Sequence, residues 1–180
     1  DVEFRDAIAL ATVDPTLTLS AISTVGSAND GAVNVNVSAL THLTSALVEA
    51  AEGGVNTESI QQQSSIIANA FNITGSLTEL EPTLVDNANA VASEDNFNEL
   101  RYGLINAGIM SALFSGQNNA SNIMSTSLAS AVNDLVANDG ALLVNQDENV
   151  DGFELSLADV LNGASEAASA AAEAIAADPE

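Results

Sequence analysis

The segment Asp147-Glu148-Asn149-Val150-Asp151-Gly152 has the residue types and spacing that open a calcium loop. Carboxylate and amide oxygens at alternate positions can converge on one hard cation, and the glycine permits the sharp turn that wraps the chain around it. Asp147, Asn149 and Asp151 are therefore candidate metal ligands, with Glu154 or Asp159 as a further oxygen donor, and calcium is the cofactor this pattern implies. The segment then departs from an EF-hand. Its twelfth position is Ala158 instead of a bidentate glutamate, and Glu154 stands at the eighth, where an aliphatic residue is usual. An acidic turn leading into a helix has the same composition, so both readings stand.

The other reactive side chains are thinly spread. His42 is the only histidine. On a helix its neighbours one turn on are Ser45 and Ala46, and no cysteine, second histidine or carboxylate within a turn completes a metal site or triad. It is expected to be a surface or boundary residue. Glu79 with Glu81, and Glu94 with Asp95, are adjacent in sequence and read as solvated charge, because a glycosidase pair is defined by geometry. Arg101, beside Tyr102, falls in the most apolar predicted helix. An unpaired buried guanidinium is costly, so a carboxylate partner is expected, with a ligand anchor as the other reading. Asn36, Asn72 and Asn119 each open an N-x-S/T triplet, which matters in a host that glycosylates exported proteins. No set of nucleophile, base and acid emerges, and the chain is expected not to be an enzyme.

Charge bounds the partners. Arg5 and Arg101 are the only permanent cations in 180 residues, against 25 carboxylates, for a formal net charge of −23. Two arginines cannot build a phosphate-binding patch, so nucleic acid is excluded as a partner, and anionic membrane surfaces are disfavoured for the same reason. Divalent cations and ion-rich surroundings suit such a surface, since both relieve repulsion among carboxylates. High charge often accompanies disorder, but 47 % of the residues are hydrophobic, which is enough to bury a core. There is no cysteine, hence no disulfide or thiolate chemistry. No run reaches the ~18 apolar residues of a membrane span. Opening on Asp1, with no basic stretch followed by an apolar one, the chain reads as a mature or excised part of something longer.

The hydrophobic pattern divides the chain. Residues 16–25 and 32–37 alternate and are rich in β-branched types, with turn chemistry at 26–31, which predicts a β-hairpin or two edge strands. From Ser38 the period becomes helical. Leu40, Leu43, Leu47, Val48 and Ala51 form one stripe, halted at Gly53-Gly54. Thr57 or Asn56 caps a second helix through Ile60, Ile67 and Phe71. Residues 96–114 form the predicted central helix, apolar on two sides and so expected to lie between others. Gly103 and Gly108 within it each lower helix propensity by about 1 kcal/mol relative to Ala, and close approach of a neighbouring helix is the expected compensation. Met124, Leu128, Ala131, Val132, Leu135 and Val136 mark another stripe, ending at Asn138-Asp139-Gly140. Ser156 with Asp159 resembles a capping box opening a last helix, whose alanine-rich continuation from Ala164 is a peripheral helix or a connector. The expected fold is mainly α: an antiparallel helical bundle (38–163) with a small N-terminal β element (1–37) and an alanine-rich tail (164–180).

Val35-Asn36-Val37-Ser38-Ala39-Leu40-Thr41-His42-Leu43-Thr44 resembles the "VNVTPLTTLA" signature of bacterial surface lipoproteins and adhesin-like multidomain proteins. Ser38-Ala39 replaces the usual Thr-Pro. Residues 68–73 are similar to that group's "AAFGL" helix end, residues 101–113 to its "YGLALAALS" helix, and residues 128–140 to its "LAADLADG" segment. The resemblance covers most of residues 33–165. It implies an extracellular or cell-surface, non-catalytic module beside β domains, with no catalytic residues to carry over. The expected role is spacing, displaying or self-assembling neighbouring parts of a larger protein, with strand exchange into a filament as one route. A calcium-dependent binding or adhesion module is the alternative.

Overall fold

The computed structural model describes residues 16–24, 34–83, 93, 96–115, 123–144 and 154–177. These carry five helices: α1 (Ala39–Ala50), α2 (Thr57–Ala70), α3 (Phe97–Ser115), α4 (Ile123–Ala137) and α5 (Leu157–Ala177). The mainly α expectation holds. No helix among the described residues is long and apolar enough to cross a membrane.

Local chemistry sets the helix starts. Ser38 caps α1: its hydroxyl accepts the Thr41 N–H at 3.2 Å, and Thr41 Oγ1 accepts the Ser38 N–H at 2.8 Å. This is a reciprocal capping box with threonine in the usual Glu position, so the first turn of α1 is capped by its own side chains. Asn56, not Thr57, caps α2, accepting the Ser59 N–H at 2.9 Å and donating its own N–H to Ser59 Oγ at 3.0 Å. At α5 the Ser156 hydroxyl accepts the Asp159 N–H at 3.2 Å and donates to the Asp159 carboxylate. A parallel bridge joins Leu143 to Ser156, and the carbonyls of Leu143 and Val144 take the Leu157 and Ala158 N–H groups. The short run after α4 thus satisfies donors that the first turn of a helix leaves open. α4 stops where the backbone turns left-handed at Asp139 (φ 52°) and Gly140 (φ 83°).

The apolar stripes meet in one core. Leu40, Leu43, Leu47, Ile67, Phe71, Tyr102, Ile105, Ile109, Leu113, Met124, Leu128, Leu135 and Val160 belong to one buried cluster. Full burial of each large aliphatic side chain contributes about 1.5–3 kcal/mol. α3 is central, packing on α1, α4 and α5, and α1 also packs on α2 and α4. The tightest crossing is α3 on α5, at Gly108 and Gly163. A Cβ on Gly108 would stand 2.1 Å from the Val160 carbonyl oxygen, and one on Gly163 would stand 2.8 Å from the Gly108 carbonyl oxygen. Close helix approach is the reason expected for Gly108. α5 continues unbroken through the alanine-rich stretch to Ala177, with Ala171 buried.

No strand occurs among the described residues. Residues 16–24 and 34–38 carry no strand pairing among the described residues, and the rest of the expected hairpin, with its turn at 26–31, lies outside them. Residues 34–38 meet the 71–83 loop: the Asn36 N–H donates to the Thr78 carbonyl at 2.8 Å. None of the described carboxylate residues is buried, so the acids lie around the aliphatic core as expected.

Candidate functional site

The polar contacts between distant parts of the chain concentrate where these two segments cross α1 and the 71–83 loop. Beneath that crossing lies a buried knot. Tyr102, fully buried on α3, donates its hydroxyl to the Leu77 carbonyl at 2.8 Å and stands 2.9 Å from Ser38 Oγ. One turn along, Asn106 accepts the Leu40 N–H at 3.2 Å and donates to the Tyr102 carbonyl at 2.9 Å. Each polar atom exchanges water for a protein partner, as burial requires. Burial also pushes the Tyr102 phenol pKa up, only partly opposed by its hydrogen bonds with Ser38 and Asn106.

Above the knot, residues 17–24 cross the helices without helix or strand of their own. Leu17 and Leu19 pack against the core. Thr16 Oγ1 is 3.0 Å from Ser125 Oγ on α4, and Ser23 Oγ is 3.3 Å from Thr78 Oγ1. Midway, Nδ1 of His42 accepts the Ser20 backbone N–H at 3.2 Å and lies 3.0 Å from Ser20 Oγ. His42 is half-buried, and burial lowers its pKa more than Glu49 raises it. A hydroxyl beside an imidazole is also the start of a nucleophilic dyad, but here the Ser20 N–H shares the accepting nitrogen. Glu49, seven residues along α1, acts on the ring by charge, with no hydrogen bond to orient it. The pair is an anchor.

Beside the segment, Asn34, Val35, Asn36, Thr78, Glu79 and Glu81 line an open polar cleft of about 620 Å³. Glu79 and Glu81, read from sequence as solvated charge, share this wall, and Asn36 is turned inward, donating its side-chain amide to the Leu80 carbonyl. Asn36 is thereby engaged in the fold, whereas Asn72 is exposed at a left-handed position (φ 52°).

Asp147, Asn149 and Asp151 lie outside the described residues, as do Glu94, Asp95, Asn119 and Arg5. Of the further oxygen donors, Asp159 is engaged in the α5 cap. Glu154 stands near Asp134 of α4, whose carboxyl pKa is pushed up by burial first and by the Glu154 charge second. Among the described residues no three His, Asp or Glu side chains are grouped to hold a metal. Arg101 has no carboxylate partner there either. Its guanidinium donates to the Asn72 carbonyl and lies 4.5 Å from the Phe97 ring centroid. A carbonyl dipole and an aromatic face take the place of the expected anion, and Phe97, half exposed, serves as that platform instead of as core.

No protein-family model, curated protein or solved structure matches this chain. What the geometry offers chemically is therefore read from the residues alone: a segment seated on a helical layer, an anionic polar cleft beside it, and one imidazole at the seat. Sequence reading missed Ser20 as the partner of His42, because the two are 22 residues apart and no local spacing marks the contact.

Proposed function

We propose that this chain is a non-enzymatic structural module of a bacterial surface or matrix protein, outside the cell, that spaces, displays or joins copies through strand exchange. One observation carries the reading. Residues 17–24 form neither helix nor strand and are held by side chains, and apart from the Ser20 N–H their backbone hydrogen-bonding groups have no partner among the described residues. A row of open N–H and C=O groups is the template on which a second extended segment adds. The charge of −23 favours an ion-rich exterior and disfavours nucleic acid and anionic membranes, and the VNVTPLTTLA-like segment points the same way. In this reading the helices form an antiparallel bundle, which the short link between α1 and α2 suits, and a β-hairpin over the first 37 residues completes itself by pairing between copies.

Size-exclusion chromatography with negative-stain microscopy tests the assembly. Wild-type protein is expected to form higher oligomers as concentration and salt rise, and Ala21→Pro, which removes an N–H with no partner among the described residues, is expected to remove them. A strict monomer under all these conditions, with and without calcium, overturns it.

The Glu154 charge acting on Asp134 favours a second reading, calcium-dependent binding, because Glu154 follows the sequence 147–151 closely along the chain and a cation would relieve the pair. Millimolar calcium is then expected to raise the melting temperature by several degrees and Asp151→Ala to abolish the rise, about the linkage expected for a site well above its Kd. Identical melts in calcium and in chelator remove this reading.

A further inference from the structure

The seat of residues 16–24 contains a group whose hydrogen-bonding sense reverses on protonation. Ser20 presents two groups to one nitrogen: a backbone N–H that can only donate, and a hydroxyl that can do either. The N–H contact requires Nδ1 to be bare, which places the ring proton on Nε2. Protonating the ring puts a hydrogen on Nδ1 and turns it toward the Ser20 N–H. The hydroxyl can rotate to accept, but the backbone contact is lost and two donors face each other. We propose that His42 is a proton-operated latch, holding residues 16–24 on the helical layer when neutral and releasing them when protonated.

The surroundings suit that role. Residues 16–24 bring no titratable side chain to the ring, and from α1 the charge acting on it is Glu49. The end contacts, Thr16 to Ser125 and Ser23 to Thr78, include hydroxyl pairs that carry no charge. Leu17 and Leu19 are only partly buried, so the segment belongs to the part of a fold that opens locally before the core does. The burial that lowers the His42 pKa gives the sign. The unfolded imidazole titrates near its ordinary value of about 6.5, and the seated one titrates lower. The seat is therefore at full strength above that ordinary value and weakens as pH falls through it, because the released state binds the proton more tightly. The latch stands without the assembly reading. If both hold, release frees the segment to seat on another copy.

Because His42 is the only histidine, its imidazole resonances titrate without overlap. In monomeric protein at low concentration, the His42 pKa is expected below the ordinary value. The hydrogen-exchange protection factor of the Ser20 amide is expected to fall between about pH 8 and about pH 5.5, by up to about tenfold for a released imidazole of ordinary pKa, with α3 amides still protected. His42→Gln, which keeps a neutral acceptor, is expected to hold the Ser20 amide equally at both pH values, and His42→Ala to leave it weakly protected at both. An unchanged Ser20 protection factor across the range in wild type overturns the proposal, as does the same fall in His42→Gln. Should glutamine fail to seat the segment, the wild-type titration decides: a His42 pKa at or above the ordinary value overturns the latch.

Discussion

Gly108→Ala is expected to destabilise the protein by about 3 kcal/mol, at the upper end of the range for overpacking a well-filled interior. In an exposed helix the same change stabilises, because alanine exceeds glycine in helix propensity by about 1 kcal/mol. Here the sign inverts. The new Cβ would stand 2.1 Å from the Val160 carbonyl oxygen and 2.9 Å from the Ala164 nitrogen. Both are helix backbone atoms, so no rotamer change relieves the contact and α5 must move off α3, uncovering Val160 and Ile109, both fully buried in the native packing. At about 2–4 °C per kcal/mol for a chain of this length, the thermal midpoint followed by far-ultraviolet circular dichroism should fall by roughly 6–12 °C. Gly163→Ala strikes the same crossing from the other side, 2.8 Å from the Gly108 carbonyl oxygen and from Ser111 Cβ. The double variant should lose less than the sum of the two, because helices already parted by one methyl group accommodate the second. A Gly108→Ala protein that melts at or above wild type would mean that the two helices do not approach backbone to backbone.

What the residues disclosed in advance follows from the range over which each signal acts. The stripes of α1 and α4 were legible because the core face of a helix is written at intervals of three and four residues. Leu40, Leu43, Leu47 and Val48 are buried, as are Met124, Leu128, Ala131 and Leu135. Some helix ends were legible for the same local reason: a cap at Ser156, Asn56 as one of two candidates for another, and a stop at Asn138-Asp139-Gly140, whereas Ser38 marked only where the period turns helical. Gly108 was legible in part, since a glycine inside a buried helix implies a close neighbour, but nothing in the spacing names Gly163 as that neighbour. Contacts that join distant stretches left no local mark. Ser20 meets His42 across 22 residues, Ser23 meets Thr78 across 55 and Ser38 meets Tyr102 across 64. Alternation at 16–25 and 32–37 carries no information on whether the partner is a strand, a loop or a helix side chain. Arg101 shows the limit of pairing arguments. A guanidinium must be compensated, but a carbonyl oxygen and a ring face satisfy it as a carboxylate does.

Tyr102→Phe is expected to cost about 1–3 kcal/mol, the penalty for leaving buried polar groups without a partner. The ring still fits, so the loss isolates the hydroxyl, which bridges the Leu77 carbonyl and the Ser38 cap. Asn106→Leu should cost a similar amount by stranding the Leu40 N–H, one of the donors the first turn of α1 leaves open. The two residues share one network, so their effects should couple in a double-mutant cycle. The same hydroxyl supplies an independent test in alkali. Burial holds the folded phenol above its unfolded value of about 10. Its contribution is thus complete below that pH and is lost as pH rises toward the folded value, since the unfolded phenol releases its proton first. Tyr102 is the sole tyrosine and there is no tryptophan, so the tyrosinate absorption band reports this residue alone. It should appear together with the loss of helical dichroism, in one transition. A phenol that ionises at the ordinary value while the helices persist would show that Tyr102 reaches solvent, and that α1 is fastened to α3 and the Leu77 loop by something other than this knot.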